Sequence, residues 1–142
     1  TQQSGPEIVE VSEITPATAM RLAQRINDGG FVLIAADRVP LAENGRTRDL
    51  EFLGATAPFP EGPFWLATLL RCPLYTLGCV REGDHHRVRF QPFDDTTHLK
   101  RAEREAWREA AMRRYVGWLG EQCREYPLQW FNFFPYWHAD ER

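Results

Sequence analysis

The feature that most constrains the fold is the block Phe59-Pro60-Glu61-Gly62-Pro63, set directly before the apolar run Phe64 to Leu70. Two prolines three residues apart fix the backbone on either side of a single carboxylate. Pro63 suits the first turn of a helix, and Gly62 reaches conformations that other residues avoid. The block therefore ends an extended segment and starts a helix, with Glu61 held at the junction. A carboxylate near a helix N-terminus can simply complement the helix dipole. Held this stiffly, it can also fix a polar group of a substrate.

Either side of that junction, the pattern alternates between strands and helices. Glu7 to Val11 reads as a short strand. Thr15-Pro16 opens a helix whose apolar face is Ala19, Leu22, Ala23 and Ile26, and Gly29-Gly30 closes it. Phe31 to Ala36 is an unbroken apolar run of strand length, as expected of a strand covered on both faces. It delivers Asp37-Arg38 at its carboxyl end, where open α/β sheets tend to carry functional residues. Asn44-Gly45 marks a turn, and Arg46 to Leu53 resumes an extended pattern. Leu74 to Val80 and His86 to Phe93 read as strands joined at Glu82-Gly83-Asp84. A long helix then runs from near Thr97 to about Glu125, with Trp107, Ala111, Tyr115, Leu119 and Cys123 on one stripe and Glu109 paired with Arg113 on another face. The expectation is a single α/β domain, a mixed sheet with helices packed on it.

The 142 residues are 43% hydrophobic and 26% charged, enough apolar material for a core. A net charge of -3 argues against nucleic acid as a partner, since no basic excess exists to neutralise phosphates. Cys72, Cys79 and Cys123 are odd in number and form no C-x-x-C pair, which favours buried, reduced thiols in an intracellular chain. No apolar run reaches membrane-spanning length.

Several residues are candidates for chemistry. Asp37-Arg38 is either a ligand-binding pair or a structural ion pair. Arg38, Arg46 and Arg48 lie close together around a turn, and planar guanidinium forks suit phosphate or carboxylate recognition. His85, His86 and His98 form no metal-ligand set, and neither does His138; no metal is expected. No nucleophile elbow or phosphate-binding glycine loop is present, and no side chain stands out as a general base. From Trp130 to Trp137 every residue except Asn132 and Pro135 is aromatic. Those rings suit a core, a membrane–water interface, or the wall of an acyl-chain groove.

Taken in order, Asp37-Arg38-Val39-Pro40, Phe52-Leu53-Gly54, Phe59-Pro60-Glu61-Gly62-Pro63, Leu69-Leu70-Arg71-Cys72-Pro73 and Tyr126-Pro127-Leu128-Gln129-Trp130-Phe131-Asn132-Phe133-Phe134 resemble the C-terminal half of the lysophospholipid and lipid A late acyltransferase family. The resemblance spans nearly the whole chain. It implies part of an acyltransferase fold, with residues 1–142 as the C-terminal part of one domain. The activity implied is transfer of a fatty acyl chain from a carrier-protein or coenzyme A thioester to a lipid or glycolipid hydroxyl. No other cofactor is implied, and the expected location is the cytoplasmic face of the inner membrane.

The base of that family is a histidine in an H-x4-D motif. Here the fifth residue after His85, His86 and His98 is Phe90, Gln91 and Glu103, so the motif is absent and is expected upstream of Thr1. No residue of this chain is therefore assigned a catalytic role, and the isolated chain is expected to be inactive. The acceptor or thioester would be bound by Asp37, Arg38 and Glu61, with Arg48 and Gly62 behind them. Pro63 stands where related glycerolipid acyltransferases commonly carry threonine. The alternatives are a non-catalytic lipid- or protein-binding module of the same fold and, more distantly, a hydrolase with another nucleophile.

Overall fold

The computed structural model describes residues 15–38 and 46–137. The strand expected at Glu7–Val11, the Asn44-Gly45 turn, Val39-Pro40 and His138 lie outside them. Helix α1 (Pro16–Asn27) starts as its sequence suggests: Thr15 accepts a hydrogen bond at its Oγ1 from the Thr18 amide, with proline next in the chain. It packs against α2, and Thr18, Ala19, Leu22, Ala23 and Ile26 are its half-buried positions. Gly29, at a φ of 84°, takes the chain out of the helix.

Two antiparallel hairpins follow. Strands β1 (Thr47–Phe52) and β2 (Ala55–Pro60) pair from Thr47 opposite Pro60 to Phe52 opposite Ala55. The turn between them is Leu53-Gly54, with φ of 54° and 90°, as the primed turns of tight hairpins require. Helix α2 (Gly62–Leu70) leaves β2 through Glu61 and ends at Arg71 in the left-handed region. Strands β3 (Pro73–Glu82) and β4 (His85–Asp95) form the second hairpin, turning at Gly83. A single 3-10 turn over Arg101–Glu103 leads into α3 (Arg104–Glu125), the longest element.

The fold is mixed α/β, but two expectations are corrected. The hairpins are separate two-stranded antiparallel sheets and do not form one mixed sheet. Phe31 to Ala36 has no ladder partner among the described residues, so it is not a strand covered on both faces. Phe31 and Leu33 are 85% and 72% exposed, and only Ala36 is buried. The run carries the composition of a buried strand, but a strand also needs neighbours to pair with.

The core sits where α3 meets β1 and α2. Ala111, Met112, Val116, Leu119 and Cys123 project from α3, and Leu50, Phe52, Ala57 and Phe59 from the first hairpin. Phe52, 2% exposed, is ringed by Phe59, Trp130, Tyr136 and Trp137 at centroid distances of 5.1–5.9 Å. The aromatic tail thus divides. Trp130, Tyr136 and Trp137 pack on the core, whereas Phe131, Phe133 and Phe134 are exposed.

Candidate functional site

Glu61 has the backbone position of a helix cap but does not use its carboxylate as one. Its amide donates to the Arg46 carbonyl at 2.9 Å, and its own carbonyl accepts from Phe64 and Trp65. With the main chain fixed at both ends, the side chain turns to β1. There Arg48 Nε donates to Glu61 Oε1 at 3.0 Å, and the carboxylate is 17% exposed. Glu61 Oε2 has no hydrogen-bond partner among the described residues. The result is a rigid, partly desolvated carboxylate with one oxygen available.

Arg48 is shared. Its Nη2 lies 3.2 Å from Glu105 Oε1 and its Nη1 3.6 Å from Glu109 Oε2, both on α3. The bond to Glu61, with these acids in support, pushes the guanidinium above its ordinary pKa. Glu109 also receives Arg113 at 2.5 Å, and that partner first, then Arg48, holds its carboxyl below the usual range. Beside the cluster, Arg108 pairs with Glu105 and lies 3.6 Å from the centre of the Trp65 ring, a cation–π stack. Arg46 approaches the same ring at 5.9 Å. Three arginines and three glutamates thus ring the start of α2, an arrangement able to receive a polyhydroxylated or phosphorylated headgroup through both donors and acceptors.

Asp37 belongs to a second place. Trp130 Nε1 donates to its carboxylate at 3.2 Å, and the Tyr136 hydroxyl donates to its carbonyl at 2.9 Å. Burial, then the Asp37 charge, pushes the phenols of Tyr115 and Tyr136 well above their ordinary value. Asp37 lines an open cleft of about 420 Å³ between Leu33–Asp37, the middle of β3 and the C-terminal half of α3. Trp118, Leu119 and Gln122 form its floor.

The candidates from sequence therefore sort into two groups. Arg48, Glu61 and Gly62 meet at the start of α2, while Asp37 binds the aromatic tail. Arg38, beside it, is exposed and makes no ion pair with Asp37 among the described residues. Cys72 and Cys123 are buried with thiols pushed up by that burial, but Cys79 is exposed, contrary to the expectation for all three. Among the described residues no three of His, Cys, Asp and Glu gather as a metal-ligand set. Sequence reasoning passed over Glu105 and Arg108, and read Trp65 only as part of an apolar surface. The available signal was the spacing of Glu105, Arg108 and Glu109, which puts all three on one face of α3. No family model matches the chain, and no curated protein matches it.

Proposed function

We propose that the chain is the C-terminal, substrate-binding part of an acyltransferase that moves a fatty acyl chain from an acyl thioester to a hydroxyl of a lipid or glycolipid. The observation that carries this reading is Glu61, fixed by Arg48 with one carboxylate oxygen unpaired in a partly desolvated setting. Such an oxygen accepts a hydrogen bond from an acceptor hydroxyl and orients it, and the arginines around it suit the acceptor's anionic groups. The ordered motifs around Asp37, Glu61 and the Gln129–Phe134 tail support the same reading through their resemblance to the late acyltransferases. Thioester attack then requires a base from an H-x4-D segment, which these 142 residues do not contain. The reaction belongs at the cytoplasmic face of the inner membrane, where donor and acceptor meet.

The test is binding. A glycolipid acceptor in mixed micelles should bind the wild-type chain about tenfold more tightly than it binds Glu61→Gln, the loss expected for one charge-assisted hydrogen bond. The same lipid lacking the acceptor hydroxyl should not distinguish the two. Equal binding of the hydroxylated lipid to both proteins refutes the assignment of Glu61. Residues 1–142 alone should show no acyl transfer from coenzyme A or carrier-protein thioesters, and turnover would refute the division of labour.

A second reading, a non-catalytic lipid-binding module, is favoured by one observation. Leu128 and Phe133 are each 89% exposed, with Phe131 and Phe134 beside them in sequence. Among the described residues no helix is long and apolar enough to cross a membrane, so contact of this kind would be interfacial. Vesicle binding that is lost on Phe131→Ser/Phe133→Ser and is indifferent to Glu61→Gln would favour this module.

A further inference from the structure

The cleft is lined by Leu33–Asp37 on one side and by Leu77–Val80 of β3 on the other. β3 pairs with β4 along one edge only. On the other edge, the Gln129 side chain does the work of a neighbouring strand at one position. The Arg81 amide donates to Gln129 Oε1 at 2.7 Å, and Gln129 Nε2 donates to the Arg81 carbonyl at 2.9 Å. Arg81 therefore points both backbone groups away from β4. In a regular antiparallel pair alternate residues do the same, so Cys79 and Leu77 present theirs to the same edge. Both line the cleft.

Across the cleft, the backbone of Leu33–Ala36 makes no hydrogen bond among the described residues. The carboxyl ends of the two walls are tied to adjacent residues of the tail. Asp37, at the carboxyl end of one, is bonded to Trp130, and Arg81, toward the carboxyl end of the other, is bonded to Gln129.

The geometry points to a slot for one β-strand, entering between Leu33–Ala36 and the free edge of β3 and bonding to both. The Gln129 amide marks where the ladder ends, so the slot continues a strand edge already occupied at Arg81. Its occupant is an extended polypeptide segment of about five residues, apolar at every position. One face of such a strand would lie on Trp118 and Leu119 of α3. The other would continue the outer face of the hairpin, where Tyr75, Leu77, Val88 and Phe90 are exposed. On that face the occupant's side chains would pair laterally with these apolar neighbours, and on the other they would be buried against α3. Main-chain bonding to both walls makes this recognition by strand addition.

The experiment compares three probes on residues 1–142. The first is a short Val/Ile peptide with lysine at each end. The second has the same side chains but is N-methylated at alternate residues, and the third is a medium-chain fatty acid. The expected result is that the first peptide binds and slows amide hydrogen exchange at Leu77 and Cys79 and within Leu33–Ala36. N-methylation should weaken binding roughly tenfold or more, because at least two backbone hydrogen bonds are removed. Equal binding of the N-methylated peptide overturns the proposal, as does occupation by the fatty acid in place of the peptide. Strand-like protection of Leu77 and Cys79 in the free chain overturns it too, since the slot would then already be filled.

Discussion

Replacing Arg48 by leucine tests whether the cluster at the start of α2 is built around that guanidinium. Arg48 has three carboxylates within 3.6 Å, and they are not equivalent. Glu105 and Glu109 are 64% and 43% exposed, so water screens both pairs and each contributes little. Glu61 is 17% exposed and accepts a 3.0 Å bond, so removing its one side-chain partner among the described residues leaves a partly desolvated charge. That loss is on the order of 1.5–3 kcal/mol. Arg48→Leu should therefore destabilise the chain by about 2 kcal/mol at pH 7, or about 6 °C in Tm for a domain of this size.

A double-mutant cycle by chemical denaturation separates the partners. Coupling between Arg48→Leu and Glu61→Gln should be about 1 kcal/mol or more, and coupling with Glu105→Gln below about 0.5 kcal/mol. The pH dependence follows from the carboxylates, since the raised Arg48 stays charged throughout. Glu109, held low, gives stability that is present above the ordinary carboxylate range and lost as pH falls through its folded value. The gap between wild type and Arg48→Leu should be full at pH 7 and close as the acids protonate. A gap unchanged down to about pH 3, or equal coupling to Glu61 and Glu105, refutes the reasoning and assigns the loss to packing of the arginine stem.

Other outcomes follow from single contacts. Thr96 is fully buried; its hydroxyl accepts from the Cys72 amide at 3.1 Å and lies 2.9 Å from the Ala67 carbonyl. Thr96→Val should cost about 1–3 kcal/mol by urea denaturation while Thr96→Ser costs less, because valine keeps the shape and removes the hydrogen bonds. Exposed Cys79 should react with a thiol reagent at pH 8 well before Cys72 and Cys123, and Cys79→Ser should abolish the fast phase. The Tyr126 hydroxyl donates to Glu82 at 2.5 Å, which pushes its pKa up to about 12. A phenol raised on folding gives stability that is full below its unfolded value and lost as pH rises toward the folded one. Tyr126→Phe should therefore flatten part of the stability loss between about pH 10 and 12, read by circular dichroism.

Elements governed by local chemistry were legible in the sequence. Thr15-Pro16 and Gly29-Gly30 bracket α1, Pro63 lies in the first turn of α2, and Glu82-Gly83-Asp84 falls at the β3–β4 turn. In each case the residues that set the backbone are adjacent in the chain. The partners of Glu61 and Asp37 were not legible. Glu61 meets Arg48 thirteen residues away, and Asp37 meets Trp130 ninety-three away. Glu109 shows the difficulty best. Its spacing to Arg113 identifies a surface pair correctly, yet nothing local says that Arg48 arrives on its other side.

The segment Phe31–Ala36 shows why composition and structure parted. An apolar run registers the environment a chain is suited to, covered on both faces, whereas a strand is defined by the hydrogen bonds its neighbours supply. Here the suited environment is half built. Trp130 and Tyr136 hold the carboxyl end through Asp37, and α3 lines the same cleft, but the backbone of Leu33–Ala36 makes no hydrogen bond among the described residues. The exposed faces of Phe31 and Leu33 and the outward edge of β3 are then two aspects of one deficit. A single inserted strand would satisfy both and would join Leu33–Ala36 to the β3–β4 hairpin in one sheet. Protection of the Leu33–Ala36 amides and of Leu77 and Cys79 should accordingly appear together on binding. Protection of one wall without the other would mean that the two deficits are unrelated.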